Sequence, residues 1–435
     1  MNSSGLKRLF WLSGIVLFAS GLVGWYDRLA NGLLNVNFGS VVPWGLWEAA
    51  YIYFIGLSAG AFLISSLVYV FNIKRFEQIG CLALFTAIVT LVCALLLVWA
   101  GLGHLLRPWH VAAYANFKSP MAVIIWLYSA YFFLLVAELW FLLRADLVAG
   151  SVLPGFKGLA YRFLSLGSRD DSARAAARDR VIVRVLATVG VPLATMFHGG
   201  VGALFGVVAA RPHWHSGMYP ILFLLSALVS GGALLIVIAA IFQDGLRRNR
   251  ETVLALGQMV FGLLLLDVLF QISEMLVSFY GGIPGHTAGL RLVIAGPFWW
   301  VFWWWQLVLG TLIPVLILAL PTRKNSYWVA GAGLLIAAGF LGVRLNIVIP
   351  GLAVEEIRGI SRAFASARMT TQYFPSATEW LVTMGVVGLG LLLFGLGELL
   401  LPRERAALRE APRAPGDGRV VEYPVTPKEA RHVRA

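Results

Sequence analysis

The chain has 435 residues, 59% of them hydrophobic and only 13% charged, with a mean hydropathy of +0.81. That much apolar surface excludes a water-soluble globular protein. The formal charge of +13 invites a nucleic-acid reading, but its distribution along the chain assigns it to membrane topology instead.

Apolar runs of about 20 residues, enough to cross ~30 Å of hydrocarbon, recur at about 9–25, 46–71, 80–104, 120–147, 182–210, 219–242, 253–280, 298–320, 327–349 and 377–401. In lipid each backbone amide must be satisfied within its own segment, so these ten runs are helices. The fold class is an all-α polytopic membrane protein. Assigning alternate loops to two sides puts roughly three quarters of the Lys and Arg on the side holding both termini, which the positive-inside rule makes cytoplasmic. An even helix count gives the same placement.

The N-terminal "MNSSGLKRLFWLSGIVLF" has the look of a signal peptide without a small-x-small cleavage site, so the first helix is read as a retained signal anchor. The second helix opens with "VVPWGLWEAAYIYFIGLSAGAF", which places Glu48 just below the outer surface and Gly56, Ser58, Ala59 and Gly60 on a close-packing face. Cys81 and Cys93 lie inside the third helix; two thiols are too few for an iron–sulfur cluster and are read as inert packing. Its outer end, "WAGLGHLLRPWHVAAYANFKSP", sets His104 and Arg107 at the membrane boundary beside Trp99 and Trp109. Interfacial Trp is ordinary belt composition, yet Arg and His gathered with Trp suit a flat, carbonyl-bearing, lipid-soluble ligand.

Glu138 of the fourth helix lies toward the cytoplasmic end, six residues from Arg144, and is read as a snorkelled ion pair or as part of a proton path. The loop 148–181 holds "GSRDDSARAAARDR", an alternating-charge piece expected to be a short surface helix. In the fifth helix Thr188, Thr195, His198 and Gly202 share a stripe, with His198 near mid-membrane after a helix-loosening Pro192. A deep His is either hydrogen-bonded core or a proton carrier. The loop after it, "ARPHWHSGMYP", carries Arg211, His213, Trp214 and His215.

The seventh helix reads "LLLLDVLFQISEMLVSFYGG". Asp267, Gln271, Glu274 and Ser278 are spaced 4, 3 and 4 apart and so share one face, with Asp267 ~10 Å deeper than Glu274. Gln and Ser often serve as interhelical glue; two carboxylates on one stripe point instead to function. The outer loop 350–376 includes the helix-like "VEEIRGISRAFASA". Glu398 is followed by Arg403 and Arg405 and is read as a snorkelled pair. The tail 402–435 is rich in Pro, Ala and Arg and is too polar to fold alone.

A b-type haem in a bundle needs two facing His at matched depth, and only His198 is deep. No metal site, phosphate-cradling loop or hydrolytic triad is visible, so electrons for any redox reaction must come from a neighbour.

At "VVPWGLWEAAYIYFIGLSAGAF", "HLLRPWHVAAYANFKSPM", "PLATMFHGGVGALFGVVAARPHWHSGMYPILFLLSALVSGGA" and "RLNIVIPGLAVEEI…YFPSATEW", the sequence resembles the NrfD/polysulfide reductase membrane-subunit family, its ten-helix branch in particular, over about residues 5–401. The resemblance implies two four-helix bundles, helices 2–5 and 6–9, with the first and last peripheral, in the bacterial cytoplasmic (inner) membrane. It implies a subunit that binds menaquinone or ubiquinone exchangeably, without haem or iron–sulfur cluster of its own. Partners would be a periplasmic ferredoxin-like iron–sulfur subunit and a molybdopterin, hydrogenase or multihaem catalytic subunit, with membrane lipid around it and no nucleic acid. The family's His on the fifth helix is matched by His198, its acidic residue near the outer end of the seventh by Glu274, and its Arg-Pro after the third by Arg107 and Pro108. His104 in "HLLRP" departs from the family's "DLGRP".

Quinone exchange moves two electrons and two protons, and the protons need titratable groups beside the carbonyl oxygens. His104, Arg107, Glu274, Glu48 and Trp109 are the expected quinone-binding residues, and Asp267, Gln271, His198 and Glu138 the expected proton path. Two rival readings stand beside it: a secondary transporter that uses the same buried acids, and a structural anchor that docks a periplasmic enzyme and binds no quinone.

Overall fold

The computed structural model describes residues 3–242, 245–357, 359–363, 366 and 368–401. The tail 402–435, with the expected Glu398 partners Arg403 and Arg405, lies outside the described residues, as do Arg358 and several of its neighbours in the 350–376 loop. Among the described residues ten helices are long and apolar enough to cross a membrane. They are α1 (Ser3–Asn31), α2 (Leu46–Tyr69), α3 (Glu77–Gly101), α4 (Pro120–Gly150), α5 (Ala173–Gly206), α6 (Tyr219–Ile241), α7 (Arg250–Tyr280), α8 (Val301–Ala319), α9 (Ser326–Ala353) and α10 (Ala377–Leu400). No strand occurs among the described residues. The chain is a multi-pass membrane protein.

The most enclosed helices are α2, α6 and α9, which pack on one another and form the axis of the molecule. Small residues permit this: a Cβ on Gly60 would lie 2.0 Å from the Ala227 carbonyl oxygen, so only glycine lets α2 and α6 come this close. Around the axis α2 packs on α3 and α5, α4 on α5, and α7 and α8 on α9. α1 lies along α10, which rests on α3. Arg28, 2% exposed near the end of α1, donates to Ala100 O (2.8 Å) and Leu102 O (2.5 Å), capping the open carbonyls of α3 with a cation.

Three local differences from the sequence reading have physical causes. The charged piece "ARAAARDR" is not a separate surface helix: it is the first turns of α5, opened by Ser172, whose side chain accepts from Ala175 N at 3.2 Å. The surface helix of that loop is Gly155–Leu164 instead. α8 begins as a π-helix over Val301–Leu312, a wide coil that a 3.6-residue period does not reveal. Finally, Arg144 pairs with Asp179 (2.6 Å) across to α5, and also donates to Ser168 Oγ (2.8 Å) and Asp170 O (2.6 Å), rather than turning to Glu138.

Loops from alternate connections meet at one rim, here termed the far rim: Ser40 N donates to Arg368 O (2.8 Å), Asn37 Nδ2 to Phe374 O (2.9 Å), and Arg211 pairs with Glu356 (2.9 Å). The start of α1 and the end of α10 share the opposite, terminal rim, where Phe10, Phe242 and Phe394 pack together.

Candidate functional site

A cavity of about 110 Å³ lies between α6, α7, α8 and α9 on the far-rim side, with Leu290 and Val293 of the short helix Pro284–Ala295 in its wall. α6 contributes Tyr219, Leu222, Phe223 and Ser226, spaced i, i+3, i+4, i+7 on one face. α7 contributes Asp267, Gln271, Glu274 and Ser278 at the same kind of spacing. The stripe runs from fully buried Asp267, 1% exposed, to half-buried Glu274 and Ser278. The π-helix supplies Gln306, and α9 supplies Arg344 and Asn346.

These polar groups form an ordered chain through a largely apolar wall. Asn346 Nδ2 donates to Gln306 Oε1 (2.7 Å), Gln306 Nε2 to Gln271 Oε1 (2.9 Å), and Gln271 Nε2 to Asp267 Oδ2 (2.5 Å). The other oxygen, Asp267 Oδ1, is buried without a protein hydrogen bond, which leaves one acceptor for a water or ligand in the cavity. Nearer the rim, Ser216 Oγ donates to Glu274 Oε2 (3.1 Å). Arg344 is 2% exposed, donates to Ser226 Oγ, stands 4.4 Å over the Phe223 ring and interacts electrostatically with Asp267. A guanidinium stacked on a ring and faced by a carboxylate is a strong donor for a carbonyl or phenolate oxygen.

The lip of the cavity follows from one proline. Pro350 inside α9 has no N–H for the Asn346 carbonyl one turn earlier, which leaves that carbonyl without its helical donor. His213 takes up the freed acceptor, its ring donating to Asn346 O, while Trp214 Nε1 donates to Ile347 O (2.7 Å). Burial holds the His213 imidazole neutral, its pKa lowered to about 4, with neighbouring His286 also lowering it and the Asn346 carbonyl opposing the shift. Pro212 and His213 pack on Gly285 and Gly289, fixing the short helix over the cavity.

His198 lies one layer behind this floor. Its Nε2 is 2.8 Å from Phe223 O; since a carbonyl only accepts, Nε2 carries the hydrogen and the unpartnered Nδ1 is left as a buried base. Phe223 O also accepts from Ser226 Oγ (3.0 Å), so His198, Phe223, Ser226 and Arg344 are one connected set.

The sequence-expected residues therefore divide. Asp267, Gln271 and Glu274 converge on the cavity and His198 abuts it. His104, Arg107 and Trp109 are exposed on the 102–119 loop and do not line it. Glu48 is held in the cap of α2, its Oε2 accepting from Gly45 N at 2.9 Å. Glu138 is fully buried among α2–α5, away from the cavity lining. Gln306, Asn346, Arg344 and Tyr219 were not singled out from sequence; the visible signal was Arg344 inside the apolar run "LGVRLNIVIPG". Among the described residues there is no group of three His, Cys, Asp or Glu able to hold a metal ion.

Comparison with known proteins agrees with this architecture. The profile of the family described as "Polysulphide reductase, NrfD" matches residues 35–355. The chain is 36% identical over 404 residues to a selenate reductase subunit of Mesobacillus selenatarsenatis, covering 91% of this chain and 94% of that one. It is 29% identical to a putative dimethyl sulfoxide reductase membrane subunit of Halobacterium salinarum, covering 94% of each. It is 27% identical to the integral membrane subunit of an Hdr-like menaquinol oxidoreductase of Archaeoglobus fulgidus, covering 88% of this chain and 91% of the relative.

Proposed function

We propose, from the premise that this chain belongs to the polysulphide reductase NrfD family, that it is the quinone-exchanging membrane subunit of a multi-subunit respiratory oxidoreductase, with the ring seated in the α6–α9 cavity. The observation that carries this reading is the convergence of two carboxylates, three amides and a guanidinium on one cavity walled by Leu, Val, Phe and Met. A volume of about 110 Å³ is of the order of engineered apolar cavities that admit a single benzene ring, which suits a headgroup with its tail left in lipid. The name of the menaquinol oxidoreductase relative supports the same substrate class. The orphaned Asp267 Oδ1 fits the group as well: it is a buried acceptor with nothing in the protein to receive.

A bound quinone supplies two-electron, two-proton chemistry. Arg344 and the amide chain orient the ring carbonyls and disperse negative charge on oxygen. Asp267 and Glu274 take or give protons at their carboxylate oxygens, with Gln271 holding Asp267 in place. His198 Nδ1 is a deeper proton acceptor on the other side of Phe223. His104, Arg107 and Trp109 enter this reading as exposed far-rim surface near the α3 and α4 ends, where an iron–sulfur partner would approach, Glu48 as the cap of α2, and none of the four as the ring seat. The far rim is then periplasmic and both termini cytoplasmic, in the bacterial inner membrane, with α2–α5 and α6–α9 as the two bundles.

The test is quinone turnover by the complete complex purified with its partners. Arg344→Gln is expected to lower turnover with a short-chain naphthoquinone at least a hundredfold while the subunits stay assembled. Unchanged turnover, or a lone chain that moves a solute and carries no redox partner, would refute the proposal.

A further inference from the structure

Glu138 has no role in the cavity, yet its environment is unusual. The side chain is 0% exposed, and neither carboxylate oxygen has a hydrogen-bond partner. Arg144 lies six residues on, about 120° round the helix, and is engaged by Asp179, Ser168 and Asp170. A carboxyl group kept as interhelical glue would have a partner, and this one has none. In hydrocarbon the neutral acid is the form of lower cost, and an ionisable group retained there has a function by default.

The neighbours lead to the terminal rim. Tyr131, two turns earlier on the same helix face, donates to Ser58 O (3.3 Å) and packs on Phe197, next to His198. Tyr69, near the end of α2, interacts electrostatically with Glu138, Cys81 and Glu77. Its hydroxyl lies against Gly80, where a Cβ would be 2.9 Å away. Glu77 is exposed at the start of α3, and Asp146 stands near Cys81. Tyr69 of α2 and Tyr131 of its own helix thus stand beside Glu138, and Glu77 and Cys81 of α3 stand beside Tyr69, with Asp146 next to Cys81: carboxyls, phenols and one thiol, with no cation among them.

We propose that Glu138 is a proton-loading carboxyl group inside the α2–α5 helices, exchanging protons with the terminal rim by way of Tyr69 and Glu77 and separate from the quinone cavity. On loading, Glu77 takes a proton from water at the terminal rim, the Tyr69 hydroxyl accepts it while giving its own hydrogen onward, and a water between them delivers it to a Glu138 carboxylate oxygen, which had no partner. One charge moves and no bond other than O–H is made or broken. The inference rests on the quinone reading only for its driving reaction.

The experiment uses the whole complex in liposomes, with reduced viologen as electron donor, a water-soluble naphthoquinone as acceptor and pH dyes on both sides. Wild type is expected to take up more protons from the terminal-rim side than quinone reduction consumes. Glu138→Gln should keep quinone turnover within twofold and lose the excess, Glu138→Asp should restore part of it, and Tyr69→Phe should slow it. An equal proton-to-electron ratio in wild type and Glu138→Gln overturns the proposal, as does a wild-type ratio that covers the chemistry alone. A second readout holds even if the complex reduces no quinone: a pH-difference infrared spectrum should contain a buried carboxyl C=O band that vanishes in Glu138→Gln. A spectrum unchanged by the substitution overturns the proposal on its own.

Discussion

Replacing Asp267 by Asn separates proton chemistry from architecture. Asn has the same shape and its amide oxygen still accepts from Gln271 Nε2, now 2.5 Å from Asp267 Oδ2. A hydrogen bond to a charged group contributes about 1.5–3 kcal/mol and a neutral one about 0.5–1.5, so the local loss is roughly 1 kcal/mol. The position loses all capacity to take up a proton, and a positioned acid or base contributes about 10²–10⁴-fold to rate. Asp267→Asn is therefore expected to lower naphthoquinone turnover at least a hundredfold, about 2.7 kcal/mol of barrier, while the complex elutes intact and melts close to wild type. Turnover within threefold of wild type would show that Asp267 moves no proton in the reaction, and the proton assignment of the α7 stripe would fall.

The lip proline gives a coupled prediction. His213→Phe leaves the Asn346 carbonyl without a donor and should cost about 1–3 kcal/mol in detergent melting, whereas adding Pro350→Ala restores an N–H and should recover part of that loss; strictly additive effects would refute the pairing. Since the folded His213 pKa is lowered to about 4, below an unfolded value near 6.5, its contribution is complete above about pH 6.5 and declines as pH falls toward 4; His213→Phe should flatten that part of the stability–pH curve. Arg144→Met strands Asp179, 4% exposed, and should destabilise the chain by about 3–5 kcal/mol, with Asp179→Asn in the same chain recovering part of it. Combined alanine substitution of His104, Arg107 and Trp109, all exposed, should leave naphthoquinone affinity within twofold; a tenfold loss would relocate the ring seat to that loop.

Element by element, what could be read from sequence depended on whether the information was local. The ten spans were legible because length and hydropathy alone fix a helix in lipid. The Asp267–Ser278 stripe was legible because its spacing is internal to one regular helix. Gln306 was not, because a π-helix shifts which residues share a face. Asn346 and Arg344 acquire meaning only from helices far off in sequence, which bring Gln306 of α8, Ser226 and Phe223 of α6 and Asp267 of α7 against them. The Glu138–Arg144 pairing failed for a reason visible in advance: six residues apart do not share a helix face, while three or four do. The start of α5 was displaced because a charged, alanine-rich stretch continues a helix as readily beyond the hydrocarbon as an apolar one does within it.

The central claim, that the quinone ring occupies the α6–α9 cavity, is tested most directly by photolabelling. A photoreactive naphthoquinone irradiated with the intact complex, followed by peptide mapping, should place adducts on cavity residues such as Met275, Leu290, Val293 and Phe302, and excess unlabelled quinone should suppress them. Adducts confined to the 102–119 loop, or spread over the lipid-facing helices without suppression, would contradict it.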